Sequence, residues 1–158
     1  MIVVQIAFVT LLSYALVSDV RSLIIPNWIS LALLVLFAVY AVIAPPSTSI
    51  FWHAAVALAV LGGGFVLYLF GWMGAGDIKL LTAVSLWAGP ASILDFLLFT
   101  SVLGVALALL IRATQIYVLP SAWSARLADH IPDWVRHGLC PYGIAIVIGA
   151  FMTMSDFF

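Results

Sequence analysis

Apolar residues fill six long runs along the chain, and short polar segments rich in proline and glycine separate them. Runs that are apolar all round, without strict alternation, are typical of buried or membrane-spanning helices. The predicted helices cover residues 2–17, 29–44, 51–70, 78–88, 93–111 and 139–157. The pattern therefore predicts an all-α, polytopic membrane protein with about six transmembrane helices. We expect residues 1–158 to form a single domain.

The segments between the runs contain residues that end or start helices. Pro26 and Asn27 precede the second run, Pro45 and Pro46 follow it, and Gly89-Pro90 separates the fourth run from the fifth. The fourth run is the shortest, because 11 residues span only about 16 Å as a helix. The sequence leaves open whether this helix begins within the membrane or earlier in the chain.

Composition supports a membrane protein and excludes several other classes. Hydrophobic residues make up 66% of the chain, charged residues 7%, and the mean hydropathy is +1.31. With five Lys and Arg residues and a net charge of -1, the chain has no basic patch for a nucleic-acid partner. A single cysteine, Cys140, cannot form an intrachain disulfide or a cysteine-built zinc site. We expect Cys140 to be a packing residue.

The positive charges are distributed unevenly over the predicted connections. All five cations fall in the first, third and fifth connections or at the helix end beside them: Arg21, Lys79, Arg112, Arg126 and Arg136. By the positive-inside rule these connections are cytoplasmic, which places both termini outside the cytoplasm. The amino-terminal segment lacks the positive region of a signal peptide, so we expect it to remain as the first span.

The fifth connection is the longest, and it contains apolar residues at helical spacing. Four apolar residues recur at this spacing, with charged residues at the positions between them: Trp123, Leu127, Ile131 and Trp134. Such a pattern is typical of an interfacial helix. An ordinary linker whose aromatic residues touch lipid headgroups fits the sequence equally well.

All six acidic residues are aspartates, and two of them are placed unusually. An ionised carboxylate at the centre of a spanning helix costs about 2.5–3.5 kcal/mol, so each position carries information. Four lie in boundary or polar positions: Asp95, Asp129, Asp133 and Asp156. Asp19 closes the first predicted helix and Asp77 opens the fourth, so both lie on the cytoplasmic side. Considered alone, Asp77 is consistent with the N-cap residue of a helix. Asp19, considered alone, is consistent with a residue at a helix end that pairs with Arg21 or is solvated at the lipid headgroups.

Three segments resemble the motifs of the type IV prepilin peptidases, which are membrane-embedded aspartic proteases of the GxGD class. They are D-V-R-S-L-I-I-P-N at 19–27, G-A-G-D-I-K-L-L at 74–81 and P-Y-G-I-A at 141–145. The resemblance implies that Asp19 and Asp77 are the catalytic pair. It also implies removal of leader peptides from pilin-like precursors at the cytoplasmic face of the inner membrane.

The compact length resembles the Flp or Tad-type members of that family. Larger members carry an extra cytoplasmic segment with paired cysteines and methylate the new amino terminus, and the first connection here is too short for such a segment. The resemblance thus implies cleavage without methylation, a pilin-like precursor as partner, and no cofactor or metal. Residues 22–24 depart from the family, because relatives often carry more basic residues there.

Eight further residues are expected to shape the site or to bind substrate. Gly74 and Gly76 remove side chains beside Asp77 and permit close approach of another backbone. Pro26 and Asn27 set the start of the second helix, with Asn27 as its cap. The remaining four residues belong to the motifs: Lys79, Pro141, Tyr142 and Gly143. The position of Lys79 also fits a snorkelling residue, whose long side chain extends along apolar surface and keeps its charged group in water.

Two neighbouring carboxylates cannot both ionise cheaply, so the pair is expected to share one proton. One member then activates a water while the other polarises the scissile carbonyl. Three alternatives remain open: a preflagellin peptidase of the archaeal type, a small proton-coupled carrier, and a noncatalytic scaffold. The two halves of the chain show none of the internal repeat that many carriers contain.

Overall fold

The computed structural model describes residues 1–43, 49–118, 134 and 139–157, and this part of the chain is helical without strands. The all-α prediction is confirmed. Three helices, counting the π-helical extension of the third, are long and apolar enough to cross a membrane, and two shorter apolar helices accompany them. The number of spans and the side of the termini remain predictions. The helices are α1 (Ile2–Ser22), α2 (Asn27–Ile43), α3 (Ile50–Leu69), α4 (Ala75–Ala113), a π-helix (Thr114–Val118), α5 (Tyr142–Thr153) and a 3₁₀ turn (Met154–Asp156).

Helix α4 is broken at Gly89, whose backbone has φ 58° and ψ −168°. Asp77 from the segment before the break lines a cavity with Tyr142. Gly104, from the segment after it, also lies against Tyr142. In a straight helix these two positions would be about 40 Å apart, so α4 doubles back on itself. The predicted turn at Gly89-Pro90 is confirmed, and it divides α4 into a first limb (75–88) and a second limb (90–113).

The break in α4 is stabilised by His53 of α3. In an unbroken helix the Leu86 carbonyl would accept a hydrogen bond from the amide of residue 90, but Pro90 has no N–H. His53 Nδ1 lies 2.8 Å from this carbonyl oxygen, and its N–H donates in place of the missing amide. Gly89 is required at the turn because its φ is positive and because a side chain there would overlap the His53 ring.

Around this break lies the end of the bundle that we call the aromatic end. Trp87 is fully buried there, and its indole N–H donates to the Leu33 carbonyl at 3.2 Å. Its ring centroid lies 4.8 Å from that of Phe8 and 5.4 Å from those of Phe37 and Tyr40. The aromatic end is therefore closed by interlocking rings from α1, α2 and α4.

The opposite end, which we call the carboxylate end, contains Asp19 and Asp77. Here four predicted helix boundaries differ from the structure. Helix α2 begins at Asn27 rather than at residue 29, and α5 begins at Tyr142 rather than at residue 139. Helix α1 continues to Ser22 and is closed by Leu23, whose φ is 54° and whose N–H donates to the Asp19 carbonyl at 2.9 Å. Helix α4 begins at Ala75 rather than at residue 78. Both aspartates consequently lie inside helices, in the last turns of α1 and the first turn of α4.

The described cations Arg21, Lys79 and Arg112 lie within helix ends at the carboxylate end, not in connections. The turn at Pro45-Pro46 and the remaining two arginines lie outside the described residues. So does most of the segment considered as an interfacial helix. Trp134 of that segment is described, and its indole N–H donates to the Val20 carbonyl at 3.0 Å.

Candidate active site

Asp19 and Asp77 line the same cavity, which has a volume of about 390 Å³. Asp19 comes from the end of α1 and Asp77 from the start of α4, so the fold brings together two carboxylates that are far apart in sequence. The cavity walls also include aromatic, apolar and thiol side chains from the α3–α4 connection, the segment before α5 and the first residue of α5: Trp72, Met73, Leu139, Cys140 and Tyr142.

The Asp19 side chain is almost completely buried, with 2% of the residue exposed. The backbone amides of Gly143 and Ile144, in the first turn of α5, interact with its carboxylate. A helix amino terminus favours a negative charge at this position. The second oxygen, Oδ2, is buried without a hydrogen-bond partner among the described residues. A buried polar atom of this kind calls for a functional explanation, and an acceptor for a reacting water is one.

Gly143 allows α5 to approach Asp19 so closely. A Cβ placed on Gly143 would lie 2.6 Å from Asp19 Oδ2 and 2.8 Å from Asp19 Cγ. Any larger residue would force the carboxylate to move. The glycine of the P-Y-G segment, expected to shape the site, therefore lies directly against one of the two aspartates. Pro141 is the N-cap residue of α5 and starts the helix that carries this glycine.

Asp77 is the third residue of α4, and Gly74 occupies the N-cap position. The carboxylate of Asp77 reaches back to the Gly74 amide, as the third helical residue does in a capping box. The interpretation of Asp77 as the N-cap residue is thus wrong. Gly76 packs beside the first connection, where an added Cβ would make ordinary contact with Ile25 at 3.5 Å.

Asp77 also lines a second cavity, of about 380 Å³. Pro26, Asn27 and Lys79 line it. Lys79 Nζ donates to Asn27 Oδ1 at 2.9 Å. Asn27 is the first residue of α2, and its side chain binds this lysine instead of serving as the expected cap. Asp77 lines both cavities, as do Leu23 and Gly74, so the two cavities adjoin each other at these residues. We call the two adjoining cavities together the cleft.

Cys140 is the main site residue that the sequence prediction missed. It was expected to be a packing residue, yet it lines the cavity of the two aspartates and is partly exposed. Burial raises the pKa of its thiol, and the charges of Asp77 and Asp19 raise it further. The sequence signal that could have identified Cys140 as a site residue is its position immediately before the P-Y-G segment. Trp72 and Met73, also missed, immediately precede Gly74 in the same way.

The arrangement suits proton transfer between two carboxylates and a water. Two carboxyl groups that line one cavity, Asp19 buried and Asp77 partly buried, favour a shared proton, so that one is a base while the other is an acid. Among the described residues, no group of three or more His, Cys, Asp and Glu residues could hold a metal ion. Acid–base catalysis by two carboxyl groups is one chemistry that these side chains can support directly.

Comparison with known families gives a match. The model described as the Type IV leader peptidase family matches residues 6–109, about two thirds of the chain. The matched region includes Asp19 and Asp77, whereas the P-Y-G segment that lies against Asp19 follows it. Comparison with curated proteins gave no match, and comparison with solved structures gave none.

Proposed function

The chain belongs to the type IV leader peptidase family, and we propose that it is a membrane-embedded aspartic endopeptidase acting on type IV pilin-like precursors of the Flp type. In this proposal it removes the leader peptide at the cytoplasmic face of the membrane. The observation that carries the proposal is the common cavity of Asp19 and Asp77. Family membership supports leader-peptide cleavage, and the pair supplies two carboxylates for it.

In the proposed reaction a water lies between the two carboxyl groups. The ionised carboxylate takes a proton from the water as the oxygen attacks the scissile carbonyl carbon, and the protonated carboxyl donates to the carbonyl oxygen. The tetrahedral intermediate collapses when the C–N bond breaks: the carboxyl that took the water proton gives it to the leaving nitrogen, and a hydroxyl of the intermediate returns a proton to the other carboxylate. No acyl-enzyme forms. Because the titration belongs to the pair, neither Asp19 nor Asp77 is assigned as the first base.

The distribution of charge supports a cytoplasmic site. The described Lys and Arg residues, Arg21, Lys79 and Arg112, all lie at the carboxylate end, which the positive-inside rule assigns to the cytoplasm. A leader peptide on that side of the membrane can reach the cleft while the apolar helix of the precursor stays in lipid.

The proposal is tested by co-expressing a Flp-type precursor with wild-type protein, Asp19→Asn or Asp77→Asn. We expect each substitution to lower cleavage by about three orders of magnitude, with folding in detergent unchanged. Asp95→Asn is the matched control, because this exposed aspartate lies on the second limb of α4, near the aromatic end. Retained cleavage in a folded Asp19 or Asp77 variant would remove that residue from the pair.

The shared proton also predicts a bell-shaped dependence of cleavage on pH. At low pH both carboxyl groups are protonated and the base is lost; at high pH both are ionised and the acid is lost. A proton-coupled carrier would instead show proton flux in vesicles without cleaving a precursor. Measuring both activities in one preparation separates the two functions.

A further inference from the structure

The two halves of the cleft differ in charge. The half shared by Asp19 and Asp77 has two carboxyl groups and, among the described residues, no cation in its lining. The other half contains Lys79, the one described cation that lines either cavity. Since Asp77 lines both halves, a positive charge lies in the cavity that adjoins the one shared by the proposed catalytic pair.

Lys79 is held in this half by a neutral partner. Its Nζ donates to Asn27 Oδ1 at 2.9 Å, which orients the ammonium group without neutralising its charge. An ammonium has three N–H donors, so this contact leaves two for a ligand. A group that is charged, oriented and incompletely hydrogen-bonded is suited to bind an anion.

The two cavities of the cleft have volumes of about 390 and 380 Å³. An extended chain advances about 3.3 Å per residue, and a peptide bond held at Asp77 places its neighbours within reach of Lys79. We propose that Lys79 and Asn27 form an anion-binding subsite, which takes a carboxylate side chain of the precursor close to the cleaved bond. This inference rests on the proposed peptidase function and adds a substrate preference to it.

A lipid phosphate is the other anion available at a membrane surface. The contact with Asn27 favours the substrate, because it holds the lysine in the wall of the cavity that Asp77 borders. Glycine residues of the G-A-G-D segment form part of that wall. Their small size permits a peptide backbone to approach closely.

The test uses purified protein in vesicles of fixed lipid composition, with precursors that carry one Asp or Glu near the cleaved bond. The carboxylate is placed at successive positions on both sides of the bond, and each precursor has a twin with Asn or Gln there. For at least one position, Lys79→Met should lower kcat/KM about tenfold for the acidic precursor. The amide twin should change less than twofold. The loss should appear mainly in KM, since the subsite binds the ground state as well as the transition state.

Arg21→Met is the matched control, because Arg21 is a cation at the same end that lines neither cavity. This substitution should change kcat/KM equally for the acidic precursor and its amide twin. Asn27→Ala should weaken the preference, and Lys79→Glu should transfer it to a precursor with Lys at the selected position.

Two results would overturn the subsite. One is that Lys79→Met changes kcat/KM by the same factor for the acidic precursor and its amide twin at every position, or changes it for neither. The other is an effect that follows the fraction of anionic lipid instead of the precursor charge. If wild-type protein cleaves neither precursor of any pair, the proposed peptidase function fails instead, so the two failures are distinguishable.

Discussion

The aromatic and carboxylate ends of the bundle share helices α1, α2 and α4 but differ in what lies between them. At the aromatic end, Trp87 fills the space between neighbouring rings and is completely buried. At the carboxylate end, cavities separate the helices, and Asp19 Oδ2 is buried without a partner among the described residues. The comparison indicates that packing and chemistry are placed at opposite ends of the same helices.

This division has a physical basis. In lipid, helices gain little from burying apolar surface against each other, so close packing and hydrogen bonds hold them together. Rings packed against rings at one end supply dispersion contacts. The other end can then keep a water-accessible cleft and two carboxyl groups in proximity. Substitutions at the two ends should therefore affect different measurements.

The largest effect on stability should follow from Trp87→Ala. The substitution leaves a cavity among Phe8, Phe37 and Tyr40 and removes the bond to the Leu33 carbonyl. We expect a loss of about 3–5 kcal/mol in the free energy of unfolding, measured in detergent.

Trp72→Ala is the matched control for this substitution, because Trp72 is 70% exposed and should change stability little. Cleavage per folded Trp87→Ala molecule should remain close to wild type. Cleavage that disappears while the variant is still folded would show that the two ends are coupled.

Gly143→Ala should instead lower the rate of cleavage and leave the stability nearly unchanged. The added methyl group would lie 2.6 Å from Asp19 Oδ2, and a carboxylate side chain moves more easily than a helix backbone. We expect a loss of about a hundredfold in kcat/KM, because displacing a catalytic group by about 1 Å is sufficient for such a loss. The unfolding temperature in detergent should change little.

Two other glycines complete this comparison. Gly149 lies on the same helix, but an added Cβ would meet Thr100 Oγ1 at 2.5 Å and the Thr100 backbone N at 3.1 Å. Gly149→Ala should therefore lower stability more than Gly143→Ala. Gly62 has nothing within 4 Å of an added Cβ, so Gly62→Ala should change neither quantity appreciably. A normal rate for Gly143→Ala would contradict the close approach of α5 to Asp19.

A smaller loss of stability is expected from His53→Phe at the aromatic end. The substitution keeps a ring but leaves the Leu86 carbonyl, which Pro90 cannot bind, without its donor. The expected cost is about 1–2 kcal/mol of unfolding free energy in detergent. His53→Gln, which retains a donor, should recover part of it. Equal stability of the Phe and Gln variants would show that the hydrogen bond contributes nothing.

The helices themselves were predictable because their apolar runs and the Gly89-Pro90 break are local signals. The ends of α1 and α4 were not. Residues 18–22 are mostly polar and suggest a connection, yet the helix continues until Leu23 adopts a left-handed conformation. Polar residues continue a helix readily when another helix packs over them, and α5 provides that contact at Asp19.

For the site, the sequence predicted that Asp19 and Asp77 lie on the same side of the membrane, which is a matter of topology. It did not predict the contact of Gly143 with Asp19, the Lys79–Asn27 hydrogen bond or the position of Cys140. These depend on contacts between segments that are distant in sequence, and no local period or motif spacing encodes such contacts.

The smallest predicted effect uses Cys140 to report on the charge of the two aspartates. The thiolate is the reactive form of cysteine, and burial together with the charges of Asp77 and Asp19 raises the pKa of this thiol. At pH values below that pKa, less thiolate is present, so a maleimide should label Cys140 more slowly than an ordinary thiol. Asp77→Asn removes one negative charge, lowers the thiol pKa relative to wild type and should speed labelling about threefold. Asp95→Asn should leave the rate unchanged, and an unchanged rate in Asp77→Asn as well would mean that Asp77 is uncharged in the resting protein.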